Sequence, residues 1–60
     1  MRVRELLKLL QQNGWKVKNQ EGFHIHLINK NTAMKITVPN HAGDLKIGTL
    51  NGILKDAGLK

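Results

Sequence analysis

The stretch EGFHIHLINK, from Glu21 to Lys30, decides the fold because its apolar residues recur at every second position. A period of two is typical of a strand that buries one face. The side chains expected to face the core are Phe23, Ile25 and Leu27. Those expected on the other face are His24, His26 and Ile28. The stretch therefore predicts a half-buried strand that exposes two imidazoles on one side.

The same period continues on both sides of this stretch. Inward positions of the flanking segments are Trp15, Val17, Met34, Ile36 and Val38, and the polar residues between them include Lys16, Lys18, Lys35 and Thr37. The sequences NQEG (19–22) and NKNT (29–32) supply turn residues between the segments, and Pro39 closes the last one. Three strands in an antiparallel meander are predicted.

Helical spacing replaces the period of two at both ends of the chain. The first apolar stripe consists of Val3, Leu6, Leu7 and Leu10, and the second of Leu50, Ile53, Leu54 and Ala57. Gly14 and Gly58 follow these stripes, where a glycine commonly ends a helix. The predicted order is α-β-β-β-α, an α+β fold over residues 1–60 as a single domain, with both helices covering one face of the three-stranded sheet.

The opposite face of the sheet is then open to solvent. It is expected to carry Lys16, Lys18, His24, His26, Ile28, Lys35 and Thr37. A two-residue turn at Lys30 and Asn31 would set His26 opposite Lys35 and His24 opposite Thr37. Pairing of the first two strands would set either Lys16 or Lys18 opposite His24. The histidines are therefore predicted to lie among lysines.

Composition narrows the classes of function. Ten Lys and Arg against four Asp and Glu give a formal net charge of +6, which favours a polyanionic partner such as nucleic acid or an acidic protein. The absence of cysteine excludes a disulfide framework and thiolate metal sites, and suits a reducing, cytoplasmic setting. No apolar run approaches the roughly 20 residues needed to span a membrane, so a soluble chain without a targeting segment is expected.

Three interpretations of the histidine pair remain open from the residues alone. In the first, the two histidines are polar residues of a solvated strand face and have no function there. A metal site could use His24 and His26 with His41, although neighbouring lysines would repel a divalent cation. A ribonuclease site would use a neutral imidazole to take a proton from a ribose 2′-OH, with lysines holding the phosphate and no metal or other cofactor.

Five short motifs in a fixed order favour the ribonuclease interpretation. They are NGW (13–15), Gly22-x-His24, TVP (37–39), GTL (48–50) and ILKDAG (53–58). In this order they resemble the HicA toxin family, mRNA interferases of bacterial toxin–antitoxin systems, over essentially the whole chain. The resemblance implies a fold like the double-stranded RNA-binding domain, an mRNA substrate and a HicB antitoxin as protein partner.

The resemblance also implies roles for individual residues. His24 matches the family's essential histidine on the second strand, and is therefore the expected catalytic residue. Phe23 stands where the family usually has serine. His41 resembles a histidine that many members place after the VP motif, and we assign it no role beyond a phosphate contact. The expected composition of the open face, and not the resemblance, makes Lys16, Lys18, His26 and Lys35 the expected RNA-binding residues. The alternative function is an RNA-binding module of the same fold without catalysis.

Overall fold

The structure, a computed structural model, describes residues 1–40 and 42–60. Its elements are α1 (Val3–Gln12), β1 (Trp15–Glu21), β2 (His24–Asn29), β3 (Lys35–Pro39) and α2 (Ile47–Asp56). The three strands form one antiparallel sheet in the order β1-β2-β3. The predicted α+β order, α-β-β-β-α, is confirmed. The roles suggested for His41 lie outside the described residues.

Helix α1 forms where the apolar stripe predicts it. Glu5 accepts a hydrogen bond from the backbone N–H of Arg2 at 3.0 Å, which satisfies one of the free donors at the N-terminus of the helix. The helix ends before Gly14, whose φ of 90° is in the left-handed region that favours glycine. This turn brings Trp15, the first residue of β1, back into the core.

Helix α2 also ends as its sequence predicts. Gly58 has a φ of 76°, and the N–H of Leu59 donates to the carbonyl of Leu54 at 2.8 Å. This bond closes the last turn and lets Leu59 pack against the core. Ile53 is the buried residue of the helix, with Leu50 and Leu54 packed beside it.

One apolar core joins the helices to one face of the sheet. Its buried members are Val3, Leu6, Leu10, Trp15, Ile25, Leu27, Ile36, Val38, Leu45 and Ile53. Leu45, from the connection between β3 and α2, was not predicted to be buried, and its N–H donates to the carbonyl of Met1 at 2.9 Å. Because both helices contribute to this core, both cover the same face, and the second face of the sheet stays open.

The first hairpin differs from its prediction in length. Strand β1 continues through Glu21, so only Gly22 and Phe23 remain to make the turn. Phe23 was predicted to face the core, but it is 74% exposed because it belongs to this turn and not to β2. The extended strand sets Glu21, and neither Lys16 nor Lys18, opposite His24.

The second hairpin is shifted by two residues from the predicted register. Thr37 lies opposite His26, and Lys35 lies opposite Ile28. The connection is longer than a two-residue turn because the side-chain oxygen of Asn29 accepts hydrogen bonds from the backbone N–H groups that follow it, the first at 2.8 Å. Met34, predicted to be inward, precedes β3 and is 56% exposed.

A bulge interrupts the pairing of β1 with β2. The register shifts between Val17 and Asn19, so Lys18 has no residue opposite it on β2. Val17, predicted to be in the core, is 37% exposed. Within the described residues, no helix is long and apolar enough to cross a membrane.

Candidate functional site

Three rows of residues cross the open face of the sheet. Each row holds one residue from β1, one from β2 and one from β3, directly opposite one another. The rows are Lys16–Ile28–Lys35, Asn19–His26–Thr37 and Glu21–His24–Pro39. We call them the lysine row, the His26 row and the His24 row. Successive rows are two residues apart on β2, which is about 7 Å along the strand.

His26 is held by side chains from both neighbouring strands. Its Nε2 lies 3.2 Å from Oε1 of Glu21 on β1, and its Nδ1 lies 3.1 Å from Oγ1 of Thr37 on β3. The imidazole is 34% exposed, so it remains open to solvent from above the sheet. These contacts make His26 the most constrained side chain of the open face among the described residues.

The partners of His26 decide which ring nitrogen exchanges its proton. An ionised carboxylate can only accept a hydrogen bond, so Nε2 carries a hydrogen that it donates to Glu21. A hydroxyl can both donate and accept, so Thr37 donates to Nδ1 in the neutral ring and accepts from Nδ1–H in the charged ring. Proton exchange with a ligand would therefore use Nδ1.

His24 is placed differently from His26. It is the first residue of β2, it is exposed, and among the described residues no hydrogen bond holds its ring. Glu21 lies directly opposite it on β1, and Pro39 on β3. The backbone beside it is fixed, because the carbonyl of Phe23 accepts a hydrogen bond from the N–H of Asn40 at 2.7 Å. An accessible imidazole on a fixed backbone is free to exchange a proton with a bound molecule.

The predicted RNA-binding lysines are not distributed around His24. Lys16 and Lys35 share the lysine row, which is next to the His26 row and two rows from His24, or about 13 Å along β2. Lys18 lies at the bulge, beside the His26 row. The structure thus brings the lysines closer to His26 than to His24.

A groove of about 570 Å³ follows this part of the surface. Side chains that line it include Lys18, Glu21, His26, Lys35, Thr37 and Asp56. A larger cleft of about 870 Å³ lies on the helix side, between α1 and the connection after β3. That cleft is larger but is lined by no histidine within the described residues, so the candidate site is the open face with its groove.

Metal ligation has little support from the side chains that are present. Among residues 1–40 and 42–60, no three His, Asp or Glu side chains lie together in a way that would hold a metal ion. The His26 and Glu21 pair is instead satisfied by its mutual contact and by Thr37.

Glu21 is the residue of this site that sequence reasoning missed. The sequence predicts Glu21 in the NQEG turn, whereas the structure places Glu21 on β1, opposite His24 and in contact with His26. A signal was present, because glycine at the first position of a two-residue turn is typical of tight hairpins. Gly22 has a φ of 57°, and with the turn set at Gly22 and Phe23 the strand would have included Glu21.

The fold and the open face define a class: a small basic α+β protein with two histidines and several lysines on an uncovered sheet. Comparison with protein families is consistent with this class. Residues 3–59 match the family model described as the HicA toxin of bacterial toxin–antitoxin systems. The chain therefore belongs to the HicA toxin family, and membership implies an antitoxin partner. No curated protein matches the chain.

Proposed function

We propose that this toxin is a metal-independent endoribonuclease that cleaves mRNA and is neutralised by a HicB-type antitoxin. The observation that carries the proposal is the exposed imidazole of His24, without a hydrogen-bond partner in the described part of the chain, on an open face that also carries lysines. Membership in the HicA toxin family supports the same conclusion.

The proposed role of His24 is general base. A neutral imidazole takes the proton of a ribose 2′-OH, and the 2′-oxygen attacks the adjacent phosphorus. The new bond from the 2′-oxygen to phosphorus forms as the bond to the 5′-oxygen breaks, which leaves a 2′,3′-cyclic phosphate and a 5′-hydroxyl. The departing 5′-oxygen receives one proton, so the two proton transfers balance.

Positively charged side chains have the proposed role of stabilising the transition state. The phosphate gains charge in the transition state, and a nearby ammonium group stabilises it without a metal ion. Lys18 and Lys35 line the groove beside His26 and are the nearest candidates for this role. The net charge of +6 favours association with RNA, and it also suits an acidic surface on the antitoxin.

A cleavage assay with matched variants tests the proposal. Purified toxin is incubated with RNA in the presence and absence of EDTA, and the ends of the fragments are identified. We expect EDTA-resistant fragments with cyclic phosphate ends from the wild type, and a rate loss of about 10²–10⁴ for His24→Ala. His24 is exposed, so the variant should fold normally, which circular dichroism checks.

Two other results would contradict the proposal. RNA binding without fragments from folded wild-type protein would favour a non-catalytic RNA-binding module. Cleavage by His24→Ala at the wild-type rate would remove His24 from the mechanism. The toxin role is tested in cells, where production of the folded wild type should arrest growth and co-production of the antitoxin should restore it.

A further inference from the structure

We propose that His26 is a second catalytic residue, the general acid that protonates the departing 5′-oxygen, and that Glu21 and Thr37 are its positioning residues. This inference rests on the proposed ribonuclease function, which requires a second proton transfer and assigns it to no residue. The contacts of His26 at 3.2 Å and 3.1 Å are the observation that carries it.

The spacing of the two imidazoles suits an acid and a base. His24 and His26 alternate with buried Ile25, so both point to the open face, about 7 Å apart along β2. In an attack in line with the leaving group, the 2′-oxygen and the 5′-oxygen lie on opposite sides of phosphorus. Each needs a ring nitrogen at about 3 Å. A phosphate placed between the two rows can meet both requirements.

The contacts of His26 match the arrangement of an oriented acid. A carboxylate bound to one ring nitrogen fixes the ring and leaves the other nitrogen for the substrate, as in catalytic triads. Glu21 binds Nε2, and among residues 1–40 and 42–60 the Thr37 hydroxyl is the one group in contact with Nδ1. Thr37 is exposed, so a substrate oxygen can approach Nδ1 beside the threonine hydroxyl and share the Nδ1–H with it. The proton on Nδ1 of the charged ring then passes to the 5′-oxygen, and the ring becomes neutral.

The position of the lysines favours His26 over His24 as the general acid at the departing 5′-oxygen. The lysine row lies next to the His26 row, and Lys18 and Lys35 line the groove together with His26. The negative charge that develops on the leaving oxygen would therefore be nearest to the cationic groups. His24, in the row farther from the lysines, keeps the role of base toward the uncharged 2′-OH.

Substitution of sulfur for the bridging 5′-oxygen at the scissile bond tests this assignment. A thiol has an ordinary pKa near 8.5, so sulfur leaves as a thiolate and needs no general acid. The substrate is a short RNA with one site that wild type cuts, prepared with either oxygen or sulfur at that position. Wild type, His24→Ala, His26→Ala and Glu21→Gln are compared on both, each after circular dichroism shows that it is folded.

On the oxygen substrate we expect His26→Ala to lose about 10²–10⁴ in rate, and on the sulfur substrate to recover to within about tenfold of wild type. Glu21→Gln should show a smaller loss that sulfur also restores. His24→Ala should remain impaired on both substrates. Gln12→Ala, which truncates an exposed amide side chain on α1, away from the open face, is the matched control and should cut both at the wild-type rate.

Several results would overturn the inference, and they differ from failure of the proposed function. If His26→Ala is equally slow on both substrates, its role is structural or lies in binding. If His26→Ala cuts the oxygen substrate as fast as wild type, His26 has no role in the reaction. In both cases wild-type cleavage still supports a ribonuclease. If wild type cuts neither substrate, the proposed function fails and this inference fails with it.

Discussion

Thr37 lies directly opposite His26 on the open face of the sheet, and its hydroxyl oxygen is 3.1 Å from Nδ1 of the imidazole. Direct opposition in an antiparallel pair brings Cβ atoms to within about 5.5 Å, so the contact is a consequence of the strand register. The two-residue shift of the second hairpin therefore creates this contact, since the predicted register would have set Lys35 opposite His26.

Thr37→Val should slow RNA cleavage without unfolding the protein. Valine keeps the branched shape of threonine and removes only the hydroxyl that orients the imidazole. Loss of one hydrogen bond worth about 1 kcal/mol corresponds to about a fivefold lower rate. Stability should change by no more than about 0.5 kcal/mol because the residue is exposed. Single-turnover cleavage and urea unfolding measure the two effects.

Thr49→Val is the control for this substitution, because it makes the same change on the exposed surface of α2. It should leave the rate of cleavage unchanged. A rate for Thr37→Val equal to that of wild type would show that the hydroxyl does not position His26. A loss as large as that of His26→Ala would show that the hydroxyl does more than orient the ring.

Two glycines should respond in opposite ways to alanine. Gly14 has a φ of 90°, and an added Cβ would lie 3.2 Å from Nδ2 of Asn31, so Gly14→Ala should destabilise the fold by at least about 1 kcal/mol. Gly52 lies within α2 with open space around it, so Gly52→Ala should stabilise by about 0.5–1 kcal/mol. Urea unfolding midpoints measure both. A lower midpoint for Gly52→Ala would mean that α2 needs glycine there for a reason other than packing.

The elements of the fold could be predicted from periodicity, but the register of the strands could not. The stripe of α1 and the alternation around Ile25 and Leu27 depend only on local spacing, and both are confirmed. Register depends on turn length, which is set at the second hairpin by hydrogen bonds from backbone N–H groups to the side chain of Asn29. Alternation alone does not reveal how many residues such a turn contains.

The candidate site was predicted in part for the same reason. Alternation on one strand is sufficient to bring His24 and His26 to one face. The neighbours of these histidines come from other strands, so a wrong turn length predicts the wrong residues opposite them. Sequence reasoning assigned Glu21 to a turn and Lys35 to the wrong row, so it did not predict the contacts of His26.

Phe23→Ala should leave stability almost unchanged, because the side chain is in the turn and not in the core. The expected change is within about 0.5 kcal/mol. Leu27→Ala on the same hairpin should cost about 2–5 kcal/mol, because Leu27 is fully buried and its loss leaves a cavity. Urea unfolding of the two variants beside wild type makes the comparison. Equal destabilisation by both substitutions would place Phe23 in the core after all.

Charge reversal on the lysine row should weaken RNA binding more than the same reversal on the helix side. Lys35→Glu removes a cation from the open face, whereas Lys8→Glu changes net charge equally on α1, across the core from that face. Each phosphate contact on a single strand contributes about −0.7 to the slope of log affinity against log salt. Lys35→Glu should therefore make that slope less steep by about one contact, and Lys8→Glu should leave it unchanged. The titrations use His24→Ala protein, so that RNA is not cut, over a series of salt concentrations. Equal effects of both reversals would mean that net charge alone attracts RNA and that the open face is not its binding site.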